Sequence, residues 1–272
     1  MFSPYYAASR AFGEGDPDNF CALNVALYGS AGRRWTMTER GRRQCSRSAR
    51  EFAIGPSKVH WDGQALVFDI DEWSVPLPRR VRGQVRVHPH GLCSFVTNLD
   101  ANGRHRWGPI APCARVEVDL RQPGARWSGH AYVDSNEGEE PVDQGFRAWD
   151  WSRAVLADAS TAVIYDVRPA CGPDRVIAQR FAPDGSHRPF EPPPRQRLPR
   201  SKWGLPRNQR TETGVPARVE QTLEDTPFYV RSVLSSGLLG ERVTAVHETL
   251  DLARVVSLPV RLMLPWRMPR RA

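Results

Sequence analysis

Acidic and aromatic side chains are concentrated in one stretch of the chain, which reads WSGHAYVDSNEGEEPVDQGFRAWDWSR from Trp127 to Arg153. The stretch holds one histidine, one tyrosine and three tryptophans, and its acidic residues are Asp134, Glu137, Glu139, Glu140, Asp143 and Asp150. A carboxyl group is a common general acid, and aromatic ring faces attract cations. This combination suits protonation of an apolar alkene, because that reaction develops positive charge on carbon.

The segment RWSGHAYVD within this stretch is predicted to be a β-strand. Successive side chains of a strand point to opposite faces. One face therefore carries the polar row Ser128, His130, Tyr132 and Asp134. Such a row lines either the lumen of a β protein or a solvent-exposed surface, and the residues alone leave both possibilities open.

A second cluster, RHRWGPIAP from Arg104, places His105 and Trp107 on one face of a predicted strand. A zinc site needs three or four convergent ligands, and Pro89 favours a loop between His88 and His90. Neither the nucleophile elbow GxSxG nor the nucleotide-binding patterns GxxxxGK[ST] and GxGxxG occur in the chain. We therefore expect no metal and no nucleotide cofactor.

Several segments resemble those of the bacterial carotenoid 1,2-hydratases, also called hydroxyneurosporene synthases. They are CALNVALYG, RWTMTERGRR, RHRWGPIAPCARVEV, WSGHAYVDSNEGEEPVDQGFRAWDWSRA, LEDTPFYVRSVL and LPWRMPR. The likeness runs almost end to end, and the acidic stretch is its most specific part. It implies an all-β fold of two lipocalin-like β-barrel or sandwich domains, packed side by side around a hydrophobic cleft.

The resemblance also implies which residues act. The His-x-Trp pattern of the family falls on His105 and Trp107, and its Tyr-x-Asp pattern falls on Tyr132 and Asp134. An aspartate is the proton donor in this family. The implied activity is hydration of the terminal C1–C2 double bond of an acyclic carotenoid such as neurosporene or lycopene, without a cofactor.

In the expected mechanism, neutral Asp134 protonates C2 and water adds to the tertiary cation at C1. An ordinary aspartate has a pKa of about 3.9, so burial in an apolar site must raise it. His105 or Tyr132 would donate a hydrogen bond to Asp134 or hold the water. Trp107 is the first choice for stabilising the cation, with Trp149 and Trp151 as alternatives.

Two other functions remain open from the sequence. One is a non-enzymatic lipocalin-like carrier of an apolar ligand, which needs the cleft but no acid. The other is an isoprenoid cyclase or isomerase of the same superfamily, which shares the acid but must keep water from the cation. An Asp134 inside a cavity without a basic partner would favour an enzyme, and a surface Asp134 would favour the carrier.

The elements that must position these residues are predicted to be mostly strands. The chain of 272 residues has 24 prolines and 21 glycines, which indicate many turns and short elements. Asp62-Gly63 predicts a hairpin between KVH and ALVFDI. A short helix is expected within 145–156, a strand over 241–256, and a long irregular connection over 182–217 that encloses a strand around Trp203. The domain assignment is 1–150, with the site, and 151–272.

Charge and cysteines indicate where the protein works. The net charge is +8, but the basic residues are scattered among acidic ones and no RNA-binding signature appears, so nucleic acid is not expected as a partner. The odd number of cysteines, five, without a CxxC pattern favours a reducing cytoplasm. The chain shows no signal peptide and no long apolar run. We expect peripheral attachment to the inner or photosynthetic membrane.

The C-terminal segment VVSLPVRLMLPWRMPRR mixes apolar residues with arginine. We expect it to lie at the membrane interface, with Trp266 at the depth of the headgroups. The alternative interpretation is a final strand followed by a basic tail.

Overall fold

The structure is a computed structural model that describes residues 3–13, 15–29 and 33–271. Contacts within the chain divide it into two compact units. The first comprises Met1–Pro89, Arg115–Ala131 and Arg261–Ala272, and the second comprises His90–Ala114 and Tyr132–Val260. Strands dominate both units, which confirms the all-β prediction.

The chain begins with helix α1, Pro4–Ala11. The Ser3 hydroxyl caps this helix by accepting from the Tyr6 backbone N–H at 2.9 Å, and Pro4 suits the first helical position. Four short strands follow: β1 (Cys21–Ala22), β2 (Val25–Leu27), β3 (Arg34–Thr36) and β4 (Glu39–Arg40). Single 3₁₀ turns lie at Pro17–Asn19 and Arg42–Gln44.

A large antiparallel sheet comes next. Its strands are β5 (Cys45–Arg47), β6 (Glu51–Ile54), β7 (Ser57–Trp61), β8 (Leu66–Trp73), β9 (Arg80–Pro89), β10 (Thr97–Asn98), β11 (His105–Gln122) and β12 (Ala125–Gly138). Their order is β10-β11-β9-β8-β7-β6-β5, and β12 also pairs with β11. The predicted hairpin joins β7 to β8, where the Asp62 carboxylate accepts from the Gln64 and Ala65 backbone N–H groups at 2.9 and 2.7 Å.

The rest of the chain starts with helix α2, Val142–Gly145. The strands that follow are β13 (Phe146–Val155), β14 (Thr161–Pro169), β15 (Arg175–Phe181), β16 (His187–Pro189), β17 (Arg195–Leu198), β18 (Arg207–Arg210), β19 (Arg218–Asp225), β20 (Tyr229–Leu238) and β21 (Glu241–Asp251). Seven of these form one antiparallel sheet in the order β16-β15-β14-β13-β21-β20-β19, and β17 and β18 form a separate hairpin.

The two faces of this seven-stranded sheet differ in chemistry. One face carries a core of small aliphatic side chains, which are Ala154, Leu156, Ala162, Ile164, Ala178, Leu238, Val243 and Ala245. The opposite face of β13 carries Trp149, Trp151 and Arg153, because side chains alternate along a strand. From Thr161 to Val167 every residue of β14 is buried, so this strand is covered on both faces.

The chain ends in helices α3, Leu252–Val255, and α4, Leu258–Arg267, followed by strand β22, Arg270–Arg271. Strand β22 completes a small sheet in the order β1-β4-β22. The predicted strand over 241–256 is thus confirmed up to Asp251 and ends there in a helix. Among the described residues, no helix is long and apolar enough to cross a membrane.

Three expectations about local structure differ from what is observed. The helix predicted within 145–156 is wrong, because β13 occupies Phe146–Val155 and pairs with β14 and β21 on its two sides. Trp203 lies in a turn, and the connection over 182–217 contains the hairpin β17–β18 rather than only irregular chain. Hydrogen bonds to the seven-stranded sheet, such as Arg210 to Asp166 at 2.9 Å, hold this hairpin, and local composition does not encode them.

The predicted domain boundary can be compared with the compact units. Residue 150 lies inside β13, which belongs wholly to the second unit. His105, Trp107, Tyr132 and Asp134 also belong to the second unit. The assignment of two lipocalin-like domains over 1–150 and 151–272, with a cleft between them, stays a prediction.

Candidate functional site

The side chain of Asp134 is held by two neutral donors in the second unit. The Trp107 indole Nε1–H donates to Asp134 Oδ2 at 2.8 Å, and the Tyr132 hydroxyl donates to the same oxygen at 3.1 Å. Trp107 lies fully buried on β11. Tyr132 and Asp134 are two residues apart on β12, so they share a strand face as the alternation predicted. None of the described residues donates to Asp134 Oδ1.

Aromatic rings surround this carboxyl group. The Trp107 ring contacts Tyr165 edge-on, with centroids 5.6 Å apart, and the Tyr132 ring lies 5.5 Å from Trp151. Trp151 and Tyr165 are direct cross-strand neighbours on β13 and β14, so one face of the sheet supplies both. The Trp151 indole Nε1 is buried and has no hydrogen-bond partner among the described residues. Trp149 contacts Tyr165 at 6.0 Å and completes the aromatic cluster.

Burial raises the pKa of Asp134 above its ordinary value, because the charged form loses its hydration. The hydrogen bonds from Trp107 and Tyr132 stabilise the carboxylate and offset part of this rise, whereas the negative charge of Glu248 adds to it. Burial also raises the pKa of Tyr132 well above its usual value, so its hydroxyl stays protonated at neutral pH. The environment therefore favours a neutral carboxyl group beside a neutral phenol.

Two charged residues border the cluster. The Arg153 guanidinium carbon lies 5.4 Å from the centre of the Tyr132 ring, and burial lowers the pKa of Arg153. Glu248 faces Trp151 across the β13–β21 pairing and forms an ion pair with Arg231 at 2.7 Å. Arg153 forms no ion pair with Asp134 among the described residues.

The residues predicted from the sequence do not include Tyr165, Arg153 or Glu248. A signal existed for Arg153, since a strand over the segment FRAWDWSRAV places Trp149, Trp151 and Arg153 on one face. No comparable signal existed for Tyr165 and Glu248. They come from β14 and β21, and only the strand order brings those strands to either side of β13.

His105 is buried, and its neighbours are Phe146 and Glu140. Its ring centroid lies 4.7 Å from that of Phe146, and its Nε2 lies 3.6 Å from Glu140 Oε1. A methyl group added to Gly138 would come within 2.7 Å of the ring, and Gly145 approaches it more closely still. Nε2 itself lacks a hydrogen-bond partner in the described part of the chain. The predicted role of His105 stays a prediction, and the structure brings together only Trp107, Tyr132 and Asp134.

The other acidic candidates have different surroundings. Asp150 is buried in an ion pair with Arg168 at 2.9 Å and also accepts from the Thr249 hydroxyl at 2.6 Å. It lies on the opposite face of β13 from Trp151. Asp143 is exposed, and so is His130. Asp134 differs from them because it is half-buried, accepts only from neutral donors and has no ion-pair partner among the described residues.

The histidines His88 and His90 do not form a metal site in the described part of the chain. His88 Nε2 lies 3.6 Å from Glu117 Oε2, and His90 is exposed. Within residues 3–13, 15–29 and 33–271, no group of three His, Cys, Asp or Glu side chains is placed to hold a metal ion.

The fold and the cluster together define a mostly antiparallel β protein in which a half-buried carboxyl group, Asp134, lies among aromatic rings. A crystal structure from Nitrosomonas europaea, described as AttH, is similar with a TM-score of 0.56 at 13% identity, over 77% of this chain and 71% of that chain. At this identity the likeness concerns the fold alone. It agrees with the all-β fold class that the sequence predicted.

The model of the carotenoid hydratase CrtC family matches residues 1–272, and the chain belongs to this family. The acyclic carotenoid 1,2-hydratase of Rubrivivax gelatinosus is 66% identical over 278 residues, which cover 100% of this chain and 68% of that protein. The protein of the same name from Cereibacter sphaeroides is 39% identical over 272 residues, covering 100% of this chain and 95% of its own length. The resemblance stated from the motifs is thus confirmed.

Proposed function

We propose that the chain is a hydro-lyase of carotenoid biosynthesis that adds water across the terminal C1–C2 double bond of an acyclic carotenoid, with Asp134 as the proton donor. Family membership supports the reaction, since the relatives are named acyclic carotenoid 1,2-hydratases. The observation that carries the role of Asp134 is its environment, in which a half-buried carboxyl group has two neutral donors on Oδ2 and a raised pKa.

The reaction begins with neutral Asp134. The π electrons of the C1–C2 bond take the carboxyl proton, a C2–H bond forms, and C1 becomes a tertiary cation. A lone pair of water then forms the C–O bond at C1. The oxonium that results returns one proton to the Asp134 carboxylate, which restores the acid. Atoms and charge balance over the cycle, and no step uses a cofactor.

The two oxygens of Asp134 take different roles in this mechanism. Oδ2 accepts from Trp107 and Tyr132, so its lone pairs are occupied. Oδ1 receives no donor among the described residues and is the oxygen that carries the transferable proton. After proton transfer the same two hydrogen bonds stabilise the carboxylate. The donors therefore act most strongly when negative charge develops on the acid, as transition-state stabilisation requires.

Aromatic rings stabilise the cation at C1. A desolvated cation over a tryptophan face gains about 2 kcal/mol. Trp107 and Trp151 both belong to the cluster around Asp134 through their contacts with Tyr165 and Tyr132. The positive charge of Arg153 opposes the cation, and the negative charge of Glu248 offsets it.

One experiment separates hydration from the alternative functions. Purified protein is incubated with lycopene or neurosporene in detergent, in water enriched in heavy oxygen, and the products are separated by chromatography. A labelled 1-hydroxy carotenoid is expected. An unlabelled isomer or ring would indicate an isomerase or cyclase, and unchanged substrate that co-elutes with the protein would indicate a carrier.

We also propose that the protein works at a membrane surface, as its apolar substrate requires. Helix α4 is apolar on two sides. Val260 and Leu264 lie on one side and are buried, as is Met268 just after the helix. Leu258, Leu262 and Trp266 follow the other at the same spacing of four residues and are 69%, 64% and 72% exposed. An outward apolar row flanked by Arg261 and Arg267 suits insertion among lipid headgroups.

A further inference from the structure

A second candidate site lies on the face of the seven-stranded sheet that carries Asp150. It is a pocket of about 600 Å³. Its lining includes the backbone or side chains of Ala148, Arg168, Arg195, Arg197, Arg200 and Arg207. Ala148 and Arg168 are direct neighbours across β13 and β14, and alternation places them on the opposite face from Trp151. Neither Asp134 nor Trp107 lines this pocket.

The positive charge of the pocket is only partly balanced. Arg168 is paired with Asp150 at 2.9 Å, and Asp251, the one acidic residue of the lining, lies 3.5 Å from Arg254. The other four arginines of the lining form no ion pair with any described residue; they are Arg195, Arg197, Arg200 and Arg207. Several unpaired guanidinium groups around one cavity repel one another and attract an anion.

Arg207 is the buried member of this set and is 5% exposed. Its Nε donates to the Pro199 carbonyl at 2.9 Å, and one terminal nitrogen donates to the Ser232 hydroxyl at 3.0 Å. These hydrogen bonds fix the guanidinium without neutralising it. Burial lowers the pKa of Arg207, and the negative charges of Asp225 and Asp150 offset part of this lowering, although neither carboxylate forms an ion pair with Arg207.

The hairpin β17–β18 that supplies most of these arginines is fixed to the sheet. The Asn208 amide donates to Asp150 at 3.2 Å, and the Asn208 carbonyl lies 2.8 Å from His247 Nε2. Arg210 bonds Asp166 at 2.9 Å. The arginines therefore lie on a hairpin that is fixed to the sheet. The pocket is preorganised, so a ligand would bind without first ordering the hairpin.

We propose that this pocket binds a phosphate-bearing ligand through Arg195, Arg197, Arg200 and Arg207. The planar fork of arginine matches the oxygens of phosphate with paired hydrogen bonds, and several unpaired forks suit a group of more than one negative charge. The apolar residues Leu198 and Pro206 also belong to the lining, so an organic part of the ligand could lie next to the phosphate. The phosphate is either free in solution or part of a lipid headgroup.

The test measures binding of three probes by calorimetry at constant ionic strength: pyrophosphate, glycerol 3-phosphate and a short-chain phosphatidylglycerol. At least one is expected to bind saturably with one site per chain. Binding of the soluble phosphates identifies a free ligand, and binding of the phosphatidylglycerol alone identifies a headgroup. Acetate at equal concentration is the reference for a generic anion. If no probe saturates, or if acetate binds as tightly, the proposal is overturned.

Substitutions test whether the phosphate binds in this pocket. The double variant Arg195→Gln with Arg197→Gln should weaken phosphate binding by about tenfold or more, since two charge-assisted contacts are lost. Arg188→Gln with Arg218→Gln is the matched control, because both residues are exposed on the second unit and do not line the pocket. Equal affinity in the pocket variant and the control would overturn the proposal. Arg197→Lys keeps the charge but not the fork and should give an intermediate affinity.

These outcomes do not depend on hydratase activity. A pocket variant that no longer binds phosphate but turns over carotenoid normally would show that the pocket is independent of the hydratase reaction. An Asp134 variant that loses turnover but binds phosphate normally would test the hydratase proposal without affecting the proposal of a phosphate site.

Discussion

The indole N–H of Trp107 donates to Oδ2 of Asp134 at 2.8 Å, although 27 residues separate them along the chain. The donor is neutral, and so is the Tyr132 hydroxyl that shares the same oxygen. An arginine or lysine in that place would hold the carboxylate in its charged form and depress its pKa. Neutral donors orient the side chain while burial keeps its pKa raised, which is the property that a proton donor to an alkene needs.

Substitution of Asp134 is the most direct test of the acid. Asp134→Asn keeps the size of the side chain but has no carboxyl proton, and general-acid help is worth about 10² to 10⁴ in rate. We expect turnover of lycopene, followed by product chromatography, to fall by at least that factor while substrate still binds. The exposed Asp143→Asn is the control and should retain normal turnover. Near-normal turnover in Asp134→Asn would show that another group is the acid.

The dependence of activity on pH follows from the same group. Activity needs the neutral form of Asp134, so the rate should decline as the pH rises through the raised pKa. Tyr132→Phe removes a donor that stabilises the carboxylate, which raises the pKa of Asp134 further and moves the declining limb to higher pH. Its loss of maximal rate should be smaller than that of Asp134→Asn. A limb that stays in place would mean that the Tyr132 hydrogen bond does not control the acid.

Substitution of His105 should change the rate without changing the pH dependence of activity. His105→Ala should reduce the rate by an amount between those of Tyr132→Phe and Asp134→Asn. Because His105 lies near Glu140 and Phe146 rather than Asp134, we expect the declining limb to keep its position. A pH–rate profile of this variant measures both effects. A shifted limb would indicate direct coupling between His105 and the acid.

The raised pKa of Asp134 also predicts a cost in stability. The folded protein binds this proton more tightly than the unfolded chain, so the favourable contribution is complete below the unfolded pKa of about 3.9 and is lost as the pH rises through the folded pKa. Asp134→Asn cannot ionise and keeps its stability. Its melting temperature should exceed that of the wild type at about pH 8, by about 2–4 °C for each kcal/mol, and the difference should vanish near pH 3. Equal melting temperatures throughout would contradict the raised pKa.

Asp150 should behave as a structural residue. Removing one partner of a buried ion pair leaves the other charge unpaired and costs about 3–5 kcal/mol, so Asp150→Ala should lower the free energy of unfolding in urea strongly. The control is Asp174→Ala, whose exposed pair with Arg147 at 3.7 Å is worth about 1 kcal/mol or less. Turnover per folded molecule should stay normal in Asp150→Ala. A folded variant without activity would place Asp150 in the chemistry.

Membrane attachment through α4 can be tested without disturbing its buried side. Leu262→Ser with Trp266→Ser changes only exposed side chains and should reduce flotation with anionic liposomes by about tenfold or more, since two apolar groups lose their contact with lipid. Leu77→Ser with Leu92→Ser is the control, because both leucines are 65% exposed and neither belongs to α4. Equal flotation of the two double variants would exclude α4 as the anchor.

The sequence by itself determined the all-β class, the hairpin at Asp62-Gly63 and the shared strand face of Tyr132 and Asp134. These follow from short-range physics: side chains alternate along a strand, and Asp-Gly adopts the tight turn of a hairpin. The family followed from motifs spread along the chain, and the resemblance included Trp107 among the site residues. The sequence assigned Trp107 to the cation, and its hydrogen bond to Asp134 was seen only in the structure.

Only the tertiary structure decided which distant residues meet. Tyr165 and Glu248 reach the Asp134 cluster because β14 and β21 pair on either side of β13, and no local pattern encodes strand order. The same holds for β17 and β18, whose proline-rich and arginine-rich surroundings indicated an irregular connection but which pair as a hairpin bound to Asp150 and Asp166. Burial, which sets the pKa of Asp134, depends on all of these long-range contacts together, so it is a property of the folded chain and not of the segment that contains the residue.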